Sequence, residues 1–532
     1  MTYKQKKRCE MNSTDCSQRG LELSFYSGEW KQDHKNHCWR LESAVTVRNP
    51  LAPELQCINI YVPEQYLAAG GRKNAGAVCG AFTAETAPVI LENGIGGYAE
   101  CRPRTLEDPF CQGRQYLDAG MVYITAGARG RQTKTEDGTL VGKSPAGLVD
   151  LKAAVRFIRH NREVLPGNTE RIISVGVSAG GAMSALLGCT GNSGNYTEFL
   201  KAAGACMEEK DDVFASQCYC PIIDLDHADI AYEWMFDGDY KADGMPGICA
   251  GGPFTEFQKA LSGLLSAEYV QYFNSLHLVN PSSGSRLLLS GDGKSGSGYE
   301  FLMDVIENAA AKFLRLLQEG RGPLSCTPEQ YLTGNYRKMV PDFDRLPPAM
   351  KEISGDDKSS WLKWDGHTAS VGSFENFKKN YLNRLKPCSA FDTLDKVQAE
   401  NQEFGDAAHD FVHFDVYMQD ALEKLKGRFP TEYAALKDEF SGLSGDTALT
   451  ERKYLINPFS YIGTGEKADL AEHYRIRVGT HDPHTSFTMA MTLALKLKAA
   501  GCRDVNYEMV WDFDHGPADY AGEVVDWITG IV

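Results

Sequence analysis

One short segment, Gly176-Val177-Ser178-Ala179-Gly180, limits the folds open to this 532-residue chain more than any other part of it. The preceding residues 171–177 are mostly apolar and β-branched, which predicts a buried strand, and the small residues that follow favour a helix. Where a strand turns sharply into a helix, larger side chains beside the turn would collide, so glycine is needed there. The pattern therefore predicts a tight turn that leaves the Ser178 hydroxyl accessible at the edge of a sheet.

Two separated blocks of the sequence alternate short apolar runs with helical patterns, as expected of a parallel sheet with crossover helices. The strands are predicted at residues 88–92, 121–125, 171–177, 474–478 and 505–511. Helices are predicted at residues 145–162 and over about fifteen residues from Thr485. The chain is therefore predicted to have an α/β fold with a mainly parallel sheet, to which both blocks contribute.

The sequence between these blocks differs from them. It is richer in helical patterns and in loops with aromatic and charged residues, and it lacks comparable strand runs. Its helices are predicted at residues 254–265, 299–318 and 411–425. We therefore expect residues 1–224 and 471–532 to form the two parts of one core, and residues 225–470 to form a large, mostly helical inserted domain over the ends of the sheet.

The composition argues against several partners. With 55 Lys and Arg against 71 Asp and Glu, the formal charge of −16 repels polyphosphate and anionic lipid, so neither nucleic acid nor a membrane is an expected partner. No apolar run approaches the roughly 18–20 residues of a membrane span, and the basic start has no apolar stretch behind it. A cytoplasmic location is expected, with export through a missing leader left open.

Cysteines and one glycine-rich segment provide further constraints on cofactors. The fifteen cysteines, an odd number without repeating spacing, favour a reducing compartment. Cys218 and Cys220 are too close for a zinc knuckle, and we expect both to be strand residues that point the same way. Residues 291–296 match the bare dinucleotide fingerprint but lie in the helical middle without a βαβ unit, so we reject it. No organic cofactor and no metal is expected.

A serine in such a turn becomes a nucleophile when a base takes its proton and an acid orients that base. In folds with this turn the chain order is serine, acid, histidine, with both partners in loops after strands. Asp482 follows the predicted strand at 474–478, and His515 follows the one at 505–511. Ser178, Asp482 and His515 are therefore the predicted catalytic residues.

Other residues compete for two of these roles. Asp512 and Asp514 precede His515 and are alternatives to Asp482 as the acid. His227, His481 and His484 are predicted to be pocket or surface residues rather than the base, because His515 alone combines a strand end, a following glycine and a late position.

A glycine-rich stretch provides a candidate oxyanion hole. The segment Asn93–Tyr98 follows the predicted strand at 88–92, and backbone N–H groups of glycine approach a developing oxyanion without obstruction. We expect the amide of Gly96 or Gly97 to act together with that of Ala179. The alternative is an ordinary glycine turn with no role in chemistry.

From about residue 55 onward, the sequence resembles the bacterial tannases, or tannin acyl hydrolases, which have an α/β-hydrolase fold with a large inserted lid and are distantly similar to carboxylesterases. The resemblance is carried by segments Val89–Gly97, Gly147–Asn161, Gly176–Gly181, Cys220–Asp229, Tyr232-Glu233-Trp234, Ala390-Phe391-Asp392, Glu400–Gly405 and the two C-terminal loops. It implies the same fold, and it implies that Ser178, Asp482 and His515 form a catalytic triad.

The resemblance also implies a substrate site. Tannases hold the three hydroxyls of a galloyl ring with a lysine, a glutamate and an aspartate two residues beyond the triad acid. Lys386 and Glu400 stand at the first two positions, whereas His484 stands where the family carries aspartate. We expect a serine esterase that acts through an acyl-enzyme on small esters of hydroxylated aromatic acids, first of all galloyl esters. The alternatives are a general carboxylesterase or a hydroxycinnamoyl (feruloyl) esterase, and, from a different class, a non-catalytic hydrolase-fold binding protein.

Overall fold

A nine-stranded sheet runs through the molecule, with the strands at residues 31–33, 38–45, 57–63, 122–126, 88–93, 168–177, 215–219, 473–479 and 504–510 side by side in that order. The structure is a computed structural model that describes residues 20–24, 30–68, 72–236, 254–335, 357–382 and 384–532. Its strands are β1 (Lys31–Asp33), β2 (Cys38–Val45), β3 (Cys57–Pro63), β4 (Val78–Cys79), β5 (Phe82–Thr83), β6 (Pro88–Asn93), β7 (Val122–Ala126), β8 (Asn168–Val177), β9 (Ala215–Tyr219), β10 (Lys363–Trp364), β11 (Ala369–Ser370), β12 (His473–Gly479) and β13 (Asp504–Val510). β4 with β5, and β10 with β11, form separate two-stranded hairpins.

The sheet is antiparallel at one end and parallel over the rest. β1, β2, β3 and β7 pair antiparallel, whereas every pair from β7 through β6, β8, β9 and β12 to β13 is parallel. β6 and β7 are buried along their whole length, because the parallel part of a sheet of this kind is covered by helices on both faces. The carboxyl ends of β8, β12 and β13 therefore lie at one edge of the sheet.

Helices pack against the sheet and also form most of the secondary structure in the middle of the chain. They are α1 (Gly113–Asp118), α2 (Ala146–His160), α3 (Ala179–Cys189), α4 (Thr197–Ala203), α5 (Leu225–Phe236), α6 (Glu256–Ser275), α7 (Ser297–Gln318), α8 (Pro328–Leu332), α9 (Phe374–Tyr381), α10 (Ala399–Glu403), α11 (Tyr417–Leu425), α12 (Pro430–Leu436), α13 (Thr447–Leu455), α14 (Phe487–Ala499) and α15 (Glu523–Ile531). α3 packs against β8 and β9, α14 against β12 and β13, and α7 against β13.

The α/β fold class predicted from the sequence is confirmed, with all five predicted strands of the two blocks present in the sheet. In the middle of the chain, α6 extends ten residues beyond the predicted end at residue 265, because no glycine or proline stop signal follows. Of the described residues between 225 and 470, only the hairpin β10–β11 is extended into strands. Residues 291–296 lie before α7, and no strand directly precedes them, which agrees with the rejection of the dinucleotide fingerprint.

Two general expectations can be compared with the described residues. None of the helices there is both long enough and apolar enough to cross a membrane. The twelve cysteines in the described part of the chain are all free thiols.

Candidate active site

Ser178 lies at the turn between β8 and α3, as the sequence predicts. Its φ of 62° and ψ of −123° are rare for a residue with a side chain, so the surrounding structure must hold this conformation. A Cβ atom added to Gly176 would lie 2.1 Å from the carbonyl oxygen of Gly180, and one added to Gly180 would lie 2.6 Å from Oδ1 of Asn93. The two glycines are therefore required by close approach around the serine.

The predicted oxyanion loop is fastened to this turn. The side-chain amide of Asn93 donates to the carbonyl oxygens of Val175 (3.2 Å) and Gly180 (3.1 Å), and the N–H of Gly180 donates to the carbonyl oxygen of Ile95 (3.0 Å). Sequence reasoning missed Asn93, although its place directly before the glycine-rich stretch could have signalled it. These bonds fix the glycine loop beside the first turn of α3.

The amides predicted to bind an oxyanion belong to Gly96 or Gly97 and Ala179. Gly96 is exposed and Gly97 is half-buried, and among the described residues no acceptor receives a hydrogen bond from either amide or from that of Ala179. Ala179 is the first residue of α3, where backbone N–H groups have no partner within the helix. The three amides are therefore donors that a ligand can use.

His515 joins Ser178 and Asp482 in one line of hydrogen bonds. Its Nε2 is 2.8 Å from Oγ of Ser178, and its Nδ1 is 2.8 Å from Oδ2 of Asp482. The loops after β12 and β13 meet closely, since the N–H of His481 donates to the carbonyl oxygen of Phe513 at 3.0 Å. The structure thus brings together the three predicted catalytic side chains from three distant parts of the chain.

The charges of this line reinforce each other. Burial by itself would raise the pKa of Asp482, but the positive charge and hydrogen bond of His515 outweigh it and lower that pKa. Burial opposes the charged form of His515 too, yet Asp482, with a smaller effect of Cys220, raises the pKa of His515 well above its ordinary value. The aspartate is therefore an acceptor that stabilises imidazolium.

The competing residues have other partners. Asp512 accepts hydrogen bonds from the hydroxyls of Tyr331 (2.6 Å) and Tyr381 (2.8 Å). Asp514 accepts a bond from the backbone N–H of His515 at 2.7 Å. Of the three aspartates considered for the acid, Asp482 has a carboxylate oxygen 2.8 Å from Nδ1 of the imidazole.

Two of the histidines that were not predicted to be the base, His481 and His227, contact other residues. His481 is buried with its ring edge-on to Tyr381, and burial lowers its pKa to about 4. His227 forms a hydrogen bond with Asp224 at 2.8 Å and stacks on Tyr272.

His484 lies directly beside His515. Its ring centroid is 4.8 Å from that of His515, and its backbone N–H donates to Oδ1 of Asp482 at 2.8 Å. Burial, together with the positive charges of His515 and Lys386, lowers the pKa of His484 to about 3. The imidazole is consequently neutral at ordinary pH, and Lys386 is near enough to influence it.

Lys386 and Glu400 are both buried, unlike most residues of their kind. The ammonium of Lys386 lies over the ring of Phe391, 3.5 Å from its centroid. Oε2 of Glu400 is buried without a hydrogen-bond partner among the described residues. A buried acceptor left unpaired costs about 1–3 kcal/mol, which a hydrogen-bond donor on a ligand would recover.

Glu400 lies near the glycine loop that contains Gly97. A Cβ atom added to Gly97 would lie 3.7 Å from the Cβ of Ala399, the first residue of α10. The pKa of buried Tyr98 is raised mainly by burial and further by the negative charge of Glu400. Arg131 connects the two elements, because it donates to the carbonyl oxygen of Gly97 (2.8 Å) and to the side chain of Gln402. Sequence reasoning missed Arg131, which no local motif marks.

The sheet, the strained serine turn and its hydrogen-bonded partners are those of the α/β-hydrolase fold. The family model described as BD-FAE matches residues 134–224. None of the curated proteins matches the sequence. These features and the solved structures below define the chain as a carboxylic ester hydrolase.

Several solved structures are similar over nearly the whole chain. The native tannin acyl hydrolase from Lactobacillus plantarum is 30% identical, with 93% of this chain and 94% of that chain covered and a TM-score of 0.73. The Fusobacterium nucleatum tannase is 28% identical, with coverages of 96% and 99% and a TM-score of 0.76. A tannin acyl hydrolase in complex with ethyl gallate is 31% identical, with coverages of 93% and 94% and a TM-score of 0.71. The chain belongs to the tannin acyl hydrolase family.

Proposed function

We propose that this protein is a serine esterase that hydrolyses galloyl esters through an acyl-enzyme. The observation that carries the mechanism is the pair of 2.8 Å contacts that link Oγ of Ser178 through the His515 ring to Asp482. The observation that favours the substrate is membership of a family in which a similar structure holds ethyl gallate.

Each step of the proposed reaction is assigned to a group of the site. His515 takes the proton of Ser178 through Nε2 as Oγ attacks the ester carbonyl, and Asp482 stabilises the imidazolium that forms. The amide of Ala179, with that of Gly96 or Gly97, donates to the tetrahedral oxyanion. His515 then protonates the leaving alcohol, and water activated by the same imidazole releases the acid from Ser178.

Recognition of the aromatic acid is assigned to Lys386, Glu400 and His484. The carboxylate of Glu400 accepts hydrogen bonds from phenolic hydroxyls, and the Lys386 ammonium donates to a phenolic oxygen. The neutral imidazole of His484 accepts or donates one further bond. A site that leaves such buried groups unpaired rejects ligands without the matching hydroxyls.

One observation favours a second candidate substrate class. Because His484 is neutral, it offers no charge to a third hydroxyl, and this weakens the discrimination between trihydroxylated rings and less hydroxylated ones. Hydroxycinnamoyl esters are therefore the alternative, with the same serine chemistry.

Substrate choice is tested by comparing kcat/KM for methyl gallate, methyl ferulate and a short aliphatic ester. We expect methyl gallate to be preferred over both. Preference for methyl ferulate would favour the second candidate, and equal rates for all three would remove the galloyl assignment.

The serine mechanism is tested separately with Ser178→Ala, which should abolish turnover and leave folding and gallate binding intact. The exposed Ser441 provides a control, since Ser441→Ala should leave turnover unchanged. Mass spectrometry of the quenched reaction should detect the acyl group on Ser178 in the unaltered protein. Persistent turnover by Ser178→Ala would overturn the mechanism and would exclude neither substrate class.

A further inference from the structure

A cysteine that the proposed reaction does not use lies against its base and acid. Cys220 follows the last residue of β9, with a positive φ of 36°, and its N–H donates to the carbonyl oxygen of Arg477 at 2.7 Å. The prediction that Cys218 and Cys220 are both strand residues is therefore wrong for Cys220. The strand ends one residue earlier, at Tyr219.

The thiol of Cys220 lies close to both Asp482 and His515. Sγ of Cys220, a carboxylate oxygen of Asp482 and a ring nitrogen of His515 all lie within 4.8 Å of one another. The sulfur is also 3.6 Å from the carbonyl oxygen of Gly516. Cys220 and Asp482 are both buried, and His515 is largely so.

These three groups match the ligand preferences of zinc. Thiolate, imidazole and carboxylate bind Zn²⁺ at about 2.0–2.3 Å, and three protein ligands with one open position are typical of accessible zinc sites. Ligand atoms in such a site are roughly 3–4 Å apart, so small side-chain movements suffice here. Mg²⁺ prefers oxygen ligands and keeps its waters, so a site with a thiol and an imidazole discriminates against it.

We propose that Cys220, Asp482 and His515 form an inhibitory site for zinc and similar thiol-binding divalent cations. The thiol proton leaves to solvent as the Zn–S bond forms, and the carboxylate binds without proton transfer. If Nδ1 of His515 is the ligand atom, its proton moves to Nε2. If Nε2 is the ligand atom, the proton stays on Nδ1.

Either mode of binding removes the base. A proton or a metal on Nε2 occupies the lone pair that takes the proton of Ser178, and the bond from Asp482 to the metal replaces or weakens its bond to the imidazole. The site therefore does not serve the reaction. It makes the esterase sensitive to free zinc through a residue outside the catalytic line.

The first test is inhibition by ZnCl₂ of the full-length protein, with methyl gallate hydrolysis as the readout. We expect inhibition that EDTA reverses and that MgCl₂ does not reproduce. Inhibition of each variant is measured against its own zinc-free rate. Cys220→Ala should raise the apparent inhibition constant for zinc by more than about 10-fold over that of the unaltered protein, because one of three direct ligands is lost and even the loss of an outer-shell partner costs about 10–100-fold in metal affinity. Unchanged potency of zinc against Cys220→Ala would overturn the proposal.

Cys206→Ala is the matched control. Cys206 belongs to another group of possible ligands, with His160 and Glu208, whose atoms also lie within 4.8 Å of one another. Zinc should inhibit Cys206→Ala as strongly as the unaltered protein. Loss of inhibition in this variant would place the inhibitory ion at the other group and overturn the proposal.

A second test does not depend on esterase activity, so failure of the proposed function would leave it informative. Co²⁺ bound to a thiolate gives a charge-transfer absorption band, which should appear in Ser178→Ala and in Cys206→Ala. The band should be absent from Cys220→Ala, or from Cys220→Ser if the alanine variant does not fold. Absence of the band from Cys206→Ala would overturn the proposal.

Discussion

The hydrogen bonds of Asp482 determine the state of the base. One carboxylate oxygen contacts Nδ1 of His515 at 2.8 Å, and the other accepts the N–H of His484 at 2.8 Å. Both oxygens are therefore held, and the carboxylate cannot rotate away from the ring. The same contact that orients the imidazole raises its pKa, so orientation and basicity are coupled in one residue pair.

A pH dependence follows from this coupling. Only neutral His515 can accept the proton of Ser178. Burial alone would lower the pKa of His515, but the negative charge of Asp482 outweighs burial and raises that pKa above the ordinary 6.5. We expect kcat/KM to fall as pH decreases through a value above 6.5. In Asp482→Asn the activity should drop by about 10⁴-fold, and the remaining acid limb should move to lower pH because the stabilising charge is lost. A pH profile whose acid limb does not move would contradict this assignment.

His484 leads to a second prediction at this scale. In His484→Asp a carboxylate replaces a neutral imidazole beside the ring site, and a charge-assisted bond to a phenol is worth about 1.5–3 kcal/mol. We expect the ratio of kcat/KM for methyl gallate to that for methyl 4-hydroxybenzoate to rise by about 10-fold or more. The ratio cancels any effect of the new charge on His515, because both esters use the same base. His481→Gln, in the same loop but against Tyr381, should leave the ratio unchanged.

Among the elements, α5 positions more of the site than any local motif suggests. Asp229, Tyr232 and Glu233 lie on one face at helical spacing. Asp229 accepts hydrogen bonds from three consecutive amides, those of Ala390 (2.6 Å), Phe391 (2.8 Å) and Asp392 (2.9 Å). The helix thus holds the segment in which Phe391 contacts Lys386.

The other two residues of this face extend the support. Glu233 forms two hydrogen bonds with Arg384, of 2.7 and 2.5 Å, and Nε of Arg384 donates to the carbonyl oxygen of Lys386 at 3.0 Å. The hydroxyl of Tyr232 donates to the carbonyl oxygen of Pro483 at 2.7 Å, next to His484. One helical face therefore connects the lysine segment to the loop that carries the acid.

A double-variant comparison separates stability from positioning in this support. Glu233→Gln leaves the buried charge of Arg384 without its partner and should lower the free energy of unfolding by about 3–5 kcal/mol. Glu233→Leu combined with Arg384→Met removes both charges and should recover most of that loss. Only the double variant also loses the bond from Arg384 to the carbonyl oxygen of Lys386, so its KM for methyl gallate should be raised while kcat changes less. A double variant with restored stability and an unchanged KM would show that the pair has no positioning role.

Local signals predicted part of this architecture and could not predict the rest. The turn at Ser178 and the strand ends before Asp482 and His515 follow from residue types over a few positions. The choice among Asp482, Asp512 and Asp514 does not, because it depends on which loop reaches the imidazole and on tyrosines far away in sequence. Local sequence also could not predict that α2 is buried, because it contains the charged residues Asp150 and Lys152. Asp150 pairs with Arg129 at 2.8 Å, and Lys152 pairs with Asp211 at 2.7 Å.

For the molecule as a whole, the middle segment is joined to the base loop by aromatic and polar contacts. Asp512 lies between β13 and His515. Its carboxylate accepts hydrogen bonds from the hydroxyls of Tyr331 in α8 and Tyr381 in α9. Trp511 stacks on Tyr381 with centroids 4.7 Å apart and lies 6.3 Å from Trp361. We therefore propose that the described residues between 225 and 470 form an inserted lid that does not move or unfold independently of the core.

This proposal predicts a single unfolding transition. Far-ultraviolet circular dichroism reports all helices, whereas tryptophan fluorescence reports the surroundings of the seven tryptophans, Trp361 and Trp511 among them, and the two melting curves should coincide. Tyr381→Phe removes a donor to buried Asp512 and should cost about 1–3 kcal/mol, which lowers both curves together. Tyr507→Phe is the control, because that buried hydroxyl has no partner among the described residues and its loss should change little. Two separate transitions, or a shift in fluorescence alone, would show that the lid and the core unfold as independent units.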